Sequence, residues 1–252
     1  MENKSIEKQD IQKIRIALSE KYLVGKGIEI GALHRPLYVS KKAHVKYVDR
    51  LDMIGLRSHY PELNEYELTK IDILDDGEKL LTIKDCSLDF IIANHMLEHC
   101  ENPLGAIRNH LAKLRSKGVL YYAVPDKRYT FDAERQLTTF DHLVDDDKRK
   151  IIDKESRTGH FLDFIKAVYK DMPSAEQKTN AEKFMQMNYS IHFHVWNASS
   201  FREFLKKSQK YFNDSFEIIE FRENGEEMIA ILRKRRTHKV KKVLRRLYGI
   251  FS

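Results

Sequence analysis

The chain has 252 residues, 42% hydrophobic and 33% charged, with a formal net charge of +7. That length holds one α/β domain with an insertion and a large core, and no apolar run is long enough to cross a bilayer. Cys86 and Cys100 are the only cysteines and lack disulfide-framework or metal spacing, and MENKSIEKQD lacks the apolar segment of a secretory signal, so a reduced, cytoplasmic protein is expected.

Between Ile6 and Tyr22, apolar residues at 11, 14, 18 and 22 form a helical stripe expected to pack across a sheet ahead of its first strand. Residues 27–33, GIEIGAL, read as an apolar strand ending on Glu29, Ile30 and Gly31. Val45–Asp49 reads as a second strand closing on an acid, and IDILDDGEKL brings Asp75 and Asp76. LDFIIANHMLEH, from Leu88 to His99, reads as a buried strand running into a helix. Asn102-Pro103 then opens a helix through Leu114, with Gly118 as its terminator. GVLYYAVPD, from Gly118 to Asp126, is a further strand. Residues 199–212 form an amphipathic helix with a serine as cap. Phe216–Phe221 and Met228–Leu232 flank Asn224-Gly225, a hairpin signal. Strands alternating with acids and helices predict a doubly wound α/β sheet that binds its ligand at the carboxyl ends of the strands.

The first turn discriminates between cofactors. A dinucleotide site wants G-x-G-x-x-G, so that the backbone can approach a pyrophosphate. Here Gly31 stands alone, with Leu33 and Pro36 where later glycines would fall. An acid such as Asp49 can hold ribose hydroxyls in either cofactor class, but the missing glycines favour S-adenosylmethionine. By itself the turn also reads as a structural glycine beside a chance acid.

Together, Glu29-Ile30-Gly31, Asp49, the Asp75-Asp76 pair and CSLDFIIANHMLEH resemble the class I S-adenosylmethionine-dependent methyltransferases, in their type 11 branch. The resemblance covers residues 24 to 126 and resumes at the final hairpin. It implies a Rossmann-like, mostly parallel sheet with a terminal antiparallel hairpin, and S-adenosylmethionine as cofactor. Glu29, Gly31, Asp49, Asp75 or Asp76, and Asn94 would bind it. The short stretch after Gly31 contains Pro36, so the usual first helix is expected to be short or irregular.

Residues 126–197 form an insertion that the core fold does not require, expected to be helical and to build the substrate side. PDKRYTFD and HFHVW within it are similar to methyltransferases encoded with bacterial surface-polysaccharide genes. That similarity implies O-methylation of a sugar or carrier-linked precursor. Asp126, His192 and His194 are the candidates for catalysis. Lys127, Arg128, Tyr129, His142 and Trp196 are the candidates for substrate contact. On an extended strand His192, His194 and Trp196 would share one face. The two histidines then admit three readings. They are a base for an attacking hydroxyl, metal ligands with Asp126 or His142, or a hydrogen-bonded structural pair. The favoured set holds no metal. His99 reads as a satisfied helix histidine. Lys127 and Arg128 suit an anionic acceptor group, or are solvated loop cations.

Residues 233–252 hold nine of the 45 Lys and Arg and no acid, leaving 36 bases against 38 acids elsewhere. Val240, Val243, Leu244, Leu247 and Tyr248 fall at helical spacing, so the tail reads as a basic amphipathic helix. Such a helix can lie on an anionic membrane or dock a membrane-bound complex. Nucleic acid is disfavoured, because the rest of the chain presents no basic or stacking surface. Other function classes remain: a non-catalytic partner docking through its tail, a nicotinamide oxidoreductase, an RNA methyltransferase, or methylation of a phosphate-derived or amino group.

Overall fold

The computed structural model describes residues 2–149 and 154–236. Helix α1 (Glu2–Tyr22) precedes strand β1 (Gly25–Ile30). Strand β2 (Ala43–Asp49), helix α2 (Met53–His59) and the two-residue strand β3 (Ile73–Leu74) follow. Next come β4 (Leu88–Asn94), α3 (Pro103–Lys113) and β5 (Leu114–Pro125). Helices α4 (Phe140–Arg149), α5 (Lys154–Val168) and α6 (Ser174–Gln186) make up the insertion. Helix α7 (Ala198–Tyr211) and strands β6 (Phe216–Asn224) and β7 (Glu227–Lys234) complete the domain.

The seven strands form one sheet in the order β3-β2-β1-β4-β5-β7-β6. Strands β1 to β5 run parallel, and β7 pairs antiparallel with both β5 and β6. The chain winds outward from β1 to β3 and then returns to lay β4 against the other side of β1. That reversal opens a crevice at the carboxyl ends of β1 and β4.

Alternation along the strands builds both faces of the sheet. Ile91 and Ala93 of β4 join Leu104 and Ile107 of α3 and Phe201 and Leu205 of α7 in one core. Phe90 and Ile92 point the other way, against Ile14 and Leu18 of α1. The stripe expected on α1 therefore packs across the sheet. Phe90 to Ala93 are all 0% exposed, so β4 is covered on both sides, as a central parallel strand should be.

No helix forms between Gly31 and β2. Residues 31–42 are irregular, and Leu37 and Val39 cover the sheet beside α1 instead. The sequence expectation of a short or irregular element here resolves as no helix.

Four boundaries differ from the sequence reading. Strand β5 starts at Leu114, because that residue leaves the helix directly into extended backbone (φ −72°, ψ 143°). The helix expected after β4 is a single 3-10 turn, Leu97–His99. Helix α7 is capped by Asn197, whose side chain accepts from Ser200 N while the Ser200 hydroxyl accepts from Asn197 N, a capping box. The strand expected at His192–Trp196 has no ladder; only Trp196 bridges, to Asp126.

The insertion leaves the sheet at Asp126 and returns at that bridge. Phe161, Phe164, Ile165, Ala181, Ile191 and Phe193 give it a core of its own. Helix α4 instead packs on the main core through Leu143. Of the basic amphipathic helix expected over 233–252, Arg233 and Lys234 instead finish β7, paired into the sheet, and the part from residue 237 onward lies outside the described residues.

Candidate active site

A cleft of about 1300 Å³ opens at the switch point of the sheet. The ends of β1, β2 and β4 line one half of it, through Gly31, Asp49 and Asn94, with Asp76 from the turn after β3. Gly31 has φ +66°, and no atom lies within 4 Å of where a Cβ would sit, so this turn faces open space. Asp49 is 8% exposed and accepts from Leu51 N at 3.1 Å. Burial raises its pKa, outweighing the Leu51 and Arg50 backbone bonds and the nearby Arg50 charge. Asn94 donates to Glu29 Oε1 at 3.4 Å, while its own Oδ1 is buried without a partner. A lone buried acceptor beside a polar cleft fits a ligand that brings a donor.

Two of the expected cofactor acids work beneath this surface. Glu29 is 1% exposed, and both its carboxylate oxygens accept from Leu37 N, at 3.0 and 3.1 Å. It pins the irregular segment after Gly31, and burial pushes its pKa up to about 7. Asp75 accepts from Leu81 N and from Thr82 N and Oγ1, which closes the turn after β3. Of the pair it is Asp76 that faces the cleft, its Oδ2 held by Lys79 at 3.0 Å.

Directly after Asn94 stands a residue that sequence reasoning missed. His95 adopts φ +49° and lines the cleft. Its Nε2 lies 2.9 Å from Glu227 Oε2, on β7. Glu227 is also gripped by Arg15 of α1, whose Nε donates to Oε1 at 2.8 Å and whose Nη2 donates to Oε2. Burial alone would raise the Glu227 pKa, but the bonds to Arg15 and His95 hold it at about 2. Burial likewise works against a charged His95, yet the Glu227 bond and the nearby Glu98 outweigh it and raise its pKa. His95 Nδ1 is 3.9 Å from Glu98 Oε1 and makes no hydrogen bond.

Glu98 is fully enclosed, and neither of its carboxylate oxygens has a hydrogen-bond partner; burial raises its pKa. Its second neighbour, His99, lines the cleft and bonds Ile191 O through Nδ1 at 2.9 Å. Burial, with His192 nearby, lowers the His99 pKa to about 3, so this ring is neutral. His99 is therefore satisfied, as expected, but in a 3-10 turn at the cleft wall. Arg108 and Asp147, and Arg157 with Asn188, line the half away from β1. Arg157 donates to Glu101 Oε1 and to Asn188 Oδ1, each at 2.9 Å.

The residues proposed from sequence for catalysis are not in this cleft. His192 Nδ1 bonds Asp132 Oδ2 at 2.6 Å, and Arg135 holds Asp132 from the other side at 2.8 Å. His194 is 0% exposed and lies against His142, His160 and Trp196. The two histidines diverge instead of sharing a face. Asp126 is 2% exposed and neutralised by Arg128. That pairing also occupies Arg128, while Lys127 donates to Ala133 O. Tyr129 is exposed beside Arg128, away from the cleft. Trp196 stacks on Phe204 in the core at 1% exposure, which rules out substrate contact. His142 lines a separate, smaller hollow. Among the described residues, two groups have metal-ligand spacing: Glu98, His99 and His192, and His142, Asp146 and His160. Neither is the set weighed from sequence, which joined His192 to His194.

Comparison with known proteins bears on the family and the fold. Residues 24–210 match the family model described as a methyltransferase domain, type 23, whereas the motifs alone suggest type 11. No curated protein matches the chain. A Haloferax volcanii complex of the Trm112 methyltransferase activator with a methyltransferase is 12% identical, with TM-score 0.50 and 94% of each chain covered. A Rhodobacter sphaeroides structure described as a zinc-dependent alcohol dehydrogenase is 15% identical, with TM-score 0.51, over 88% of this chain and 89% of that one. An S-adenosylmethionine-dependent methyltransferase from Aquifex aeolicus is 11% identical, with TM-score 0.44, over 89% and 88%. At such identities these likenesses are ones of fold.

Proposed function

Because the chain belongs to the methyltransferase-domain family and uses S-adenosylmethionine, we propose that its cleft methylates a hydroxyl of a polar, sugar-like acceptor, with His95 as the base. The observation that carries this reading is the His95–Glu227 pair, which sets a basic imidazole at the cleft wall immediately after Asn94. Gly31, Asp49, Asp76 and Asn94 would hold the cofactor, which when bound supplies an electrophilic methyl group on a sulfonium. The orphaned Asn94 Oδ1 and the open space before Gly31 fit that assignment.

The remaining chemistry falls to the protein. A hydroxyl becomes a competent nucleophile as its proton leaves, and the unbonded His95 Nδ1 is placed to accept that proton. Glu227 fixes the ring through Nε2 and stabilises the imidazolium that results, while Arg15 keeps Glu227 ionised. Alignment of acceptor and methyl donor supplies much of the acceleration in such a transfer. Arg108, Arg157 and Asn188 offer the hydrogen-bonding wall that a glycan needs. Similarity across PDKRYTFD and HFHVW supports a surface-polysaccharide precursor, free or carrier-linked, as the acceptor.

The proposed site of action is the cytoplasmic side of the membrane, reached through the basic residues of 233–252. No helix among the described residues is long and apolar enough to cross a bilayer. Deleting residues 237–252 is expected to reduce sedimentation with anionic vesicles; equal sedimentation would remove that docking role.

The function is tested by screening sugar nucleotides and lipid-linked sugars for methyl transfer, wild type against His95→Gln. We expect loss of turnover by at least a hundredfold with S-adenosylhomocysteine binding retained. Full activity in His95→Gln would end the base assignment, and transfer only to amines would end the hydroxyl reading.

A further inference from the structure

Away from the cleft, three histidines that this chemistry does not use face one another inside the insertion. His142 and Asp146 lie one turn apart on α4, His160 is on α5, and His194 lies in the segment that returns to the sheet. Their ring centroids are 5.2 Å (142 to 160), 5.2 Å (160 to 194) and 5.6 Å (142 to 194) apart, a nearly equilateral triangle. Asp146 closes the group, with its Oδ2 3.2 Å from His142 Nε2.

Two of the ring nitrogens are also left bare. His160 Nε2 and His194 Nδ1 are buried without any hydrogen-bond partner, and His194 is 0% exposed. Each ring engages protein through its other nitrogen: His160 to the Phe193 backbone, and His194 Nε2 to Glu101 O at 3.4 Å. A carbonyl on one ring nitrogen leaves the lone pair on the other, which is how metal-bound imidazoles are held. Packing alone does not account for buried imidazole nitrogens left bare, since each bears its full desolvation penalty.

We propose that His142, Asp146, His160 and His194 form a four-ligand site for a zinc-like divalent transition ion. The spacing suits such an ion. With a metal–nitrogen bond of about 2.1 Å and about 1.2 Å more to the ring centre, tetrahedral imidazoles would have centroids about 5.4 Å apart, within the range of the three separations seen. Adjacent ligand atoms would be about 3.4 Å apart, close to the 3.2 Å between His142 Nε2 and Asp146 Oδ2. The donor atoms of His142, Asp146 and His160 lie within 4.8 Å of one another; His194 stands outside that group and would complete the shell by turning its bare Nδ1 toward them. Three imidazoles and one carboxylate select zinc or its neighbours over magnesium or calcium. Four protein ligands leave no open position, so the ion is structural. It would tie α4, α5 and the 191–196 segment into one wall behind the acceptor side. The other group, Glu98, His99 and His192, offers three donors, and of these only His99 lines the cleft.

The test uses the full chain, with zinc and cobalt as probes. Zinc content after dialysis, the visible spectrum with cobalt, and melting with and without chelator are compared for wild type, His142→Ala, His160→Ala and His192→Ala. The expected result is a single tightly held zinc per chain, an intense tetrahedral cobalt spectrum and a melting temperature that falls on chelation. His142→Ala and His160→Ala should lose the metal and the chelator response, and His192→Ala should keep both. His142 is partly exposed, so its variant should fold, and S-adenosylhomocysteine binding reports that independently. A wild-type chain that takes up neither zinc nor cobalt overturns the site. So does metal retained in His142→Ala but lost from His192→Ala.

Discussion

Replacing Gly31 with alanine separates the strain of the turn from its role toward ligand. The residue sits at φ +66°, where a side chain costs about 1–2 kcal/mol. For a domain of this size that lowers the melting temperature by about 2–4 °C per kcal/mol. No protein atom lies within 4 Å of the new Cβ, so the fold itself offers no clash. The methyl group would instead project into the half of the cleft assigned to the nucleoside. Crowding a fitted site by one methyl costs about 1–3 kcal/mol, so the dissociation constant of S-adenosylhomocysteine should rise about 5- to 150-fold. Gly27→Ala is the contrast, because its Cβ would fall 2.3 Å from the Phe90 ring. That change should damage the fold before it touches binding. Calorimetric titration and thermal melts on both variants decide the matter. A Gly31→Ala protein with a modest melting loss and unchanged affinity would refute the placement of the cofactor at this turn.

Asp49→Ala should weaken S-adenosylhomocysteine binding by about 1.5–3 kcal/mol, the range for a hydrogen bond to a charged group, and unaltered binding would remove its ribose role. Glu227→Gln should move the rising limb of the pH–rate profile to lower pH and reduce the maximum rate. The carboxylate is what raises the His95 pKa against burial, so its loss lowers that pKa; an unmoved limb would dissociate the pair from proton transfer. For Glu29 the folded pKa of about 7 exceeds the unfolded one, so its stabilising contribution is full below about pH 4.5 and fades as pH rises through 7. A glutamine at this position keeps an acceptor for Leu37 N and does not ionise. Urea melts at pH 5 and pH 9 should therefore shift the stability difference toward Glu29→Gln by about 2–3 kcal/mol, and a pH-independent difference would contradict that.

The parallel core was legible because its strands are apolar on both faces and end on acids. Gly31, Asp49, Asp76 and Asn94 all reached the cleft from those strand ends and the turn after β3. The hairpin was legible because Asn224-Gly225 meets its turn, with Gly225 at φ +62°. The start of β5 was hidden, since exposed Arg115, Ser116 and Lys117 resemble the end of a helix more than a strand. The pairing of His192 with His194 failed for a backbone reason. Phe193 N and His194 N both donate to Glu98 O, at 2.8 and 3.2 Å, which twists the segment out of strand geometry. One histidine then meets Asp132 and the other the interior of the insertion. Lys127 and Arg128 looked available only because the carbonyl and the carboxylate that occupy them could not be assigned from the chain. His95 was beyond reach for a related reason. Glu227 and Arg15 lie 132 and 80 residues from it, and only the β5–β7 pairing and the crossing of α1 bring them together.

The rim of the cofactor half rests on little. Leu56, Leu63 and Leu68 form a satellite cluster with Leu33, Leu51 and Tyr60, set apart from the cores that flank the sheet. Leu33 O accepts from Thr69 N, so the turn after Gly31 is tied to this cluster and not to a following helix. A cluster this small and separate is expected to open at less cost than the domain unfolds. Amide protons around residues 51–70 should therefore exchange by an excursion of their own, and a bound nucleoside, by bracing the turn, should slow them first. Entry and release of the cofactor then become a matter of how often this corner breathes, independent of the rigidity of the sheet beneath it.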